Sequence, residues 1–294
     1  FWRRGPPRRA GVNCRWMSAS SPAFYPIVSL LYAALAAYYW RTRWQTPAAN
    51  AETAAQRRSA DALLPLAPLA LHAMLLFNAV FAADGIHLGV GNALSAIVWL
   101  TVAIYWFGNF FYRIEGLQAL VLPVAAVCAF LPVLFAPVNA LPNTQLPAFQ
   151  LHLGIALLAY SLFTIASLHV LLMALIEKRL HGGRLPAALQ HLPPLLTMET
   201  LLFRIILAGF LLLTLTLGTG IVYSEELFGK ALRFNHKTVF GILSWLIFAA
   251  LLGGRQLYGW RGRIAGRWTL AGVLMLVLAY VGSKFVLEVI LGRV

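Results

Sequence analysis

The chain has 294 residues, 61% of them hydrophobic and only 11% charged, with a mean hydropathy of +0.77. Soluble domains carry about 25% charged residues, so too little charge is present to cover a water-facing surface, and neither a disordered chain nor a disulfide scaffold fits. The formal charge of +14 does not point to nucleic acid, because the basic residues lie in short connections between long apolar runs, as topology determinants do.

Residues 1–22 form a basic head. Within it, 1–16 (FWRRGPPRRAGVNCRW) carry five arginines, and Met17 directly precedes the first apolar run. The head is read as upstream sequence ahead of a start at Met17, with a genuine basic tail as the alternative. Residues 23–294 are expected to form one domain.

A membrane crossing needs about 20 mostly apolar residues. Eight stretches qualify, at about 23–40, 62–83, 90–112, 116–138, 149–176, 201–223, 237–253 and 269–291. The expected fold is all-α, a polytopic membrane helix bundle with about eight transmembrane helices. No soluble domain and no internal repeat is evident.

Connections after spans one, three, five and seven hold twelve Lys and Arg; those after spans two, four and six, with the C-terminal tail, hold four when Lys237 at the edge of span seven is counted. The richer set faces the cytoplasm by the positive-inside rule. This places both termini on the outer side of the membrane.

Ionisable groups inside spans are costly and are candidates for function. Arg204 lies near the cytoplasmic end of span six and can snorkel. Lys284 and Glu288 stand one helical turn apart and can pair. Asp84 and Glu115 fall at span ends, within reach of water. His181 and His191 belong to the cytoplasmic connection after span five, among Gly and Pro.

The remaining histidines are read by depth. His72 lies about 15 Å into span two by helix rise, near the midplane. His152 opens span five and His236 opens span seven, at one level on the outer side. His152 and His169 share a helix but stand about 25 Å apart along it, too far for one site. His152 with His236 is the pair between spans that depth favours, either as ligands to one iron or as two hydrogen-bonded interfacial side chains. Gly154, Ala156, Ala159, Tyr160 and Ser161 on span five, and Leu217-Gly218-Thr219-Gly220 ending span six, would admit close approach of a helix or flat ligand. Trp245, Trp260 and Trp268 are read as interface anchors. Cys14 and Cys128 form no CxxC or CxxCH, so neither disulfide exchange nor covalent haem attachment to this chain is expected. HExxH, Walker-type and nucleophile-elbow motifs are likewise missing, so no hydrolytic or phosphoryl-transfer enzyme is indicated.

These residues resemble the cytochrome c assembly family, the haem-handling membrane proteins of the CcsA, CcmC and HemX type, and within it the YpjD-like inner-membrane branch. Leu151-His152-Leu153-Gly154 through Tyr160 is similar to the family's "LHV…SYA". Lys237-Thr238 with Ser244-Trp245-Leu246-Ile247-Phe248-Ala249 is similar to "KET…TWLIFA", and Gly259-Trp260-Arg261-Gly262 to "GWRG". Leu71-His72 resembles a second-span histidine, and Asn92 with Ser95 resembles the "N-x-x-ES" opening of the third span. The resemblance covers nearly all of 23–291.

It implies a bundle that holds haem near the outer leaflet and assists cytochrome c maturation, with His152 as an axial ligand. Departures stand beside it. The stretch Glu225 to His236 holds no tryptophan where the family's haem-presenting "WWD" segment should lie. The family's late-span histidine falls on Gly253, and its last periplasmic histidine has no counterpart between Leu287 and Gly292. The chain is therefore not expected to form holocytochrome thioethers by itself.

The leading expectation is a noncovalent haem b protein without covalent catalysis. His152 and His236 would be iron ligands, and His72 a weak ligand or a polar contact within the bundle. Its partners would be the lipid bilayer, haem and cytochrome c maturation components. Two alternatives stay open. One is a HemX-like regulator of tetrapyrrole synthesis acting through 177–199. The other is a transporter or partner subunit of an ion-extrusion system, using Lys284, Glu288 and His72.

Overall fold

A computed structural model describes residues 24–45, 63–82, 85–112, 116–135, 146–181, 194–228 and 236–282. Each predicted apolar run contains one helix. These are α1 (Phe24–Tyr39), α2 (Leu66–Val80), α3 (Val90–Gly108), α4 (Gln118–Leu134), α5 (Pro147–His181), α6 (Leu195–Phe228), α7 (His236–Tyr258) and α8 (Gly262–Val277). Helices α3 and α5 to α8 are long and apolar enough to cross a membrane; α2 and α4 are shorter apolar helices. Helix is the expected outcome, since in hydrocarbon every backbone N–H and C=O must be satisfied within the segment. The chain is thus an all-helical, multi-pass membrane bundle.

Three details differ from the sequence expectation. Helix α8 begins at Gly262 rather than 269, taking Arg263 and Arg267 into its first turns. Helices α5 and α6 are 35 and 34 residues long, about 50 Å by helix rise, and so exceed a hydrocarbon core of roughly 30 Å. Hydropathy marks where the bilayer ends, whereas Glu, Lys and Arg continue a helix into water at little cost. A two-residue antiparallel pair, β1 (Phe81–Ala82) with β2 (Gly85–Ile86), also links α2 to α3.

Helix α5 divides two cores. On one side, Tyr25, Val28, Tyr32, Ala36 and Tyr39 of α1 pack with Val121, Ala125 and Ala129 of α4, the three- and four-residue spacing of one helix face. Ser29 of α1 donates to the Ala126 carbonyl of α4. On the other side, Phe163 of α5 stacks on Phe248 of α7, with ring centroids 4.0 Å apart. That stack depends on two glycines. A Cβ at Gly209 would stand 3.1 Å from the Phe163 ring, and one at Gly272 would stand 2.7 Å from the Phe248 ring.

Hydrogen bonds pin α5 to its neighbours. Ser161 Oγ donates to the Ile97 carbonyl of α3, and the Tyr160 hydroxyl donates to the Leu276 carbonyl of α8. His169 is fully buried, and its Nε2–H donates to the Met198 carbonyl of α6 at 3.0 Å. With Phe163 beside Gly209 and His152 beside Thr219, these contacts define α5 and α6 as an antiparallel pair. Helix α6 turns Leu207, Leu211, Leu215 and Val222 outward, as a lipid-facing helix should. Arg204 is exposed on it. Residues 1–22, Asp84, Glu115, His191, Lys284 and Glu288, and the side chain of His181, lie outside the described residues.

Candidate functional site

The start of α5, the far part of α6, the start of α7 and the end of α8 meet at one end of the bundle. They enclose a cavity of about 510 Å³, within the range of small-molecule and cofactor sites. Its wall is mostly apolar, with Ala156, Leu213, Leu217 and Ile242 among the lining residues, and glycine backbone at Gly220 and Gly241. Tyr160 and Tyr280 close it towards α8, with rings 6.3 Å apart. There α8 passes into a π-helical turn, Leu278–Gly282, and Tyr280 donates to the Leu88 carbonyl, which ties this end to the segment before α3.

His152 lies on the cavity wall, half-buried. Its Nδ1 is 2.8 Å from Thr219 Oγ1. The Thr219 hydroxyl directs its own proton back to the Leu215 carbonyl at 2.7 Å, the common i−4 bond of helical threonine. With the hydroxyl proton kept on the α6 carbonyls of Leu215 or Thr216, Oγ1 would accept from His152 Nδ1–H, the tautomer that leaves the Nε2 lone pair free. A metal-ligating histidine is oriented in this manner, its second nitrogen held by a polar neighbour. Among the described residues, Nε2 has no hydrogen-bond partner.

Lys237 and Thr238 border the same cavity. The Lys237 ammonium stands 5.7 Å from the centroid of the Tyr280 ring, a cation–π distance that holds a positive charge at the edge of an apolar space. His236 is the first residue of α7 and is exposed. Its two successors line the cavity, but His236 itself is not among the lining residues. It thus shares the end of the bundle with His152, without contact between the two rings among the described hydrogen bonds.

His72 lies elsewhere. It is completely buried between α1, α2 and α3, with Nε2 2.8 Å from Ser95 Oγ and Nδ1 3.3 Å from the Tyr32 hydroxyl. Both ring nitrogens are engaged, which is the polar-contact arrangement of the two expected for this residue. Asn92 of the same opening motif donates to the His87 carbonyl at 2.8 Å, tying the strand pair to α3. The tryptophans also stand outside the cavity. Trp245 donates to Thr214 and stacks on Phe210, while Trp260 and Trp268 pack together at the opposite end of α7 and α8. No cluster of three or more His, Cys, Asp or Glu suited to a metal occurs among the described residues.

Thr219 is the site residue that sequence reasoning did not single out by role. Its segment reads only as a run of small residues, and nothing in the local sequence distinguishes a threonine that serves a distant histidine from one that bonds its own helix.

A family model described as "Cytochrome C assembly protein" matches residues 62–291. "Inner membrane protein YpjD" of Escherichia coli (strain K12) is 36% identical over 177 residues, covering 58% of this chain and 65% of that protein. "Cytochrome c biogenesis protein CcsA" of Prochlorococcus marinus (strain AS9601) is 29% identical over 187 residues, covering 56% of this chain and 60% of that protein. An "Uncharacterized 28.8 kDa protein in nifR3-like 5'region" of Azospirillum brasilense is 34% identical over 145 residues, covering 49% and 53%. In each case the matched stretch spans less than two thirds of the relative's own length.

Proposed function

The chain belongs to the cytochrome c assembly protein family, and from that premise we propose that it holds haem b noncovalently in the α5–α8 cavity and assists cytochrome c assembly. The observation that carries this reading is the Thr219-oriented His152, whose Nε2 lone pair is available on the wall of a cavity of cofactor size. Bound haem would supply an iron that takes nitrogen ligands and can accept or release an electron.

This chain's own residues supply the rest. His152 is the first ligand, and Thr219 fixes its tautomer and ring plane. Ala156, Gly220 and Gly241 leave room for a flat ring system, and the apolar wall keeps water from it. The Lys237 ammonium suits a carboxylate at the mouth. His236, at the start of α7, is proposed as the second imidazole. His72, held by Tyr32 and Ser95, supports the bundle. The excess of Lys and Arg at the other ends of these helices favours the outer side of the inner membrane for the cavity.

The assembly role is tested by removing the chain from its host and staining membranes for covalently bound haem. The reading expects fewer c-type cytochromes, restored by the wild-type chain and not by His152→Ala. Unchanged cytochrome levels without the chain would overturn the role.

A further inference from the structure

The end of the bundle opposite the His152 cavity holds a second and larger space of about 960 Å³, between the C-terminal part of α5 and the starts of α6 and α8. Its polarity is graded along the helix axes. At the mouth stand Glu177, Lys178, Glu199, Arg263 and Arg267; further in, the wall is Val170, Met173, Leu202 and Leu270. Glu199 is four residues from the start of α6, about 6 Å, and Val170 is eleven residues from the end of α5, about 16 Å. A polar mouth at the helix ends above an apolar shaft is the profile of an amphiphile aligned with the bilayer.

The charges are specific. Arg263 is paired with Glu177 at 2.9 Å. Lys178 and Arg267 line the cavity, are exposed, and have no partner among the described residues. Glu199 borders the same cavity with 9% exposure, and its buried Oε1 accepts no hydrogen bond. Arg255 of α7, stacked 3.7 Å from the Phe203 ring centroid, lies near enough to feel the Glu199 charge but gives its Oε1 no hydrogen bond. A buried carboxylate oxygen without a donor is costly, and such a group calls for a ligand that brings N–H groups.

We propose that this cavity seats an aminophospholipid of the phosphoethanolamine class, its ammonium donating to Glu199, its phosphate between Lys178 and Arg267, and an acyl chain in the apolar shaft. An ammonium carries three donors and a phosphate suits exposed Lys and Arg. A trimethylammonium head lacks the donors, and a glycerol head lacks the positive charge. The proposal is independent of haem binding at the other end.

The test is lipid competition on the full chain, purified in detergent, stripped of lipid and offered vesicles of equal phosphatidylethanolamine, phosphatidylglycerol and phosphatidylcholine with matched chains, with retained lipid read by native mass spectrometry. The wild-type chain should retain the ethanolamine lipid about tenfold over the choline lipid, the scale of one charge-assisted hydrogen bond. Glu199→Gln should bring that ratio close to one. Arg267→Gln should weaken both lipids and leave the ratio unchanged, and Leu270→Trp, which fills the shaft, should abolish retention of both. Thermal unfolding in lipid-free detergent identifies which variants keep their fold. A wild-type ratio near one, a ratio unaffected by Glu199→Gln in a folded variant, or stronger retention of phosphatidylglycerol would each overturn the proposal.

Discussion

His152 and Thr219, 67 positions apart in the chain, meet at 2.8 Å across the α5–α6 interface, where Thr219 Oγ1 also reaches the Leu215 carbonyl at 2.7 Å, an arrangement suited to His152 as the donor. A single side-chain hydrogen bond thereby decides which imidazole nitrogen is free at the cavity.

Thr219→Val keeps the shape and removes the acceptor. Haem titration of the purified variant, followed by the Soret absorption, should show affinity about 10- to 100-fold weaker, the usual cost of losing a group that orients a metal ligand. Thr219→Ser should restore most of it. Equal affinity for wild type and Thr219→Val would show that the hydrogen bond does not prepare the ligand.

Gly220 offers a steric test. A Cβ there would already stand 3.4 Å from His152 Cε1, ordinary contact, but a branched side chain would extend into the cavity. Gly220→Leu should abolish haem uptake while leaving thermal unfolding nearly unchanged, since the added bulk enters open space. Uptake at the wild-type level would place the haem elsewhere.

The His72 triad carries the opposite expectation. His72→Leu leaves Ser95 and Tyr32 without their buried partner and should destabilise the bundle by about 1–3 kcal/mol, read as a lower unfolding temperature. The haem spectrum should not change. A spectral change in a folded His72→Leu variant would make His72 a ligand.

Gly91 sits where α3 meets the end of α4. A Cβ there would lie 2.7 Å from the carbonyl oxygens of both Leu131 and Phe135. Backbone cannot swing aside, so α3 and α4 must separate, and Gly91→Ala should cost about 1–3 kcal/mol, as overpacking does. A thermal melt equal to that of the wild type would contradict this contact.

The helices were legible because apolar runs of sufficient length permit little else, and their order follows directly. Their ends were less so. Arg263 and Arg267 halt a hydropathy reading, yet α8 starts seven residues earlier, and they help to form the second cavity. The strand pair at 81–86 is too short to announce itself. His152 was visible as a rare imidazole in an apolar run, and Lys237 as part of a motif. Thr219 was not, because its role exists only once α5 and α6 pack antiparallel, and periodicity within one helix carries no record of its neighbour. The pairing of His152 with His236 was argued from equal depth alone. The structure sets both at one end and lines the cavity with Lys237 and Thr238 rather than His236.

The central claim is that His152 binds haem iron, and the absorption spectrum of haem-loaded protein tests it most directly. Wild-type protein is expected to show a sharp Soret band of a histidine-ligated haem. His236→Ala should shift it, and His152→Ala, alone or with His236→Ala, should remove it. A Soret band that survives the loss of both histidines would contradict the account.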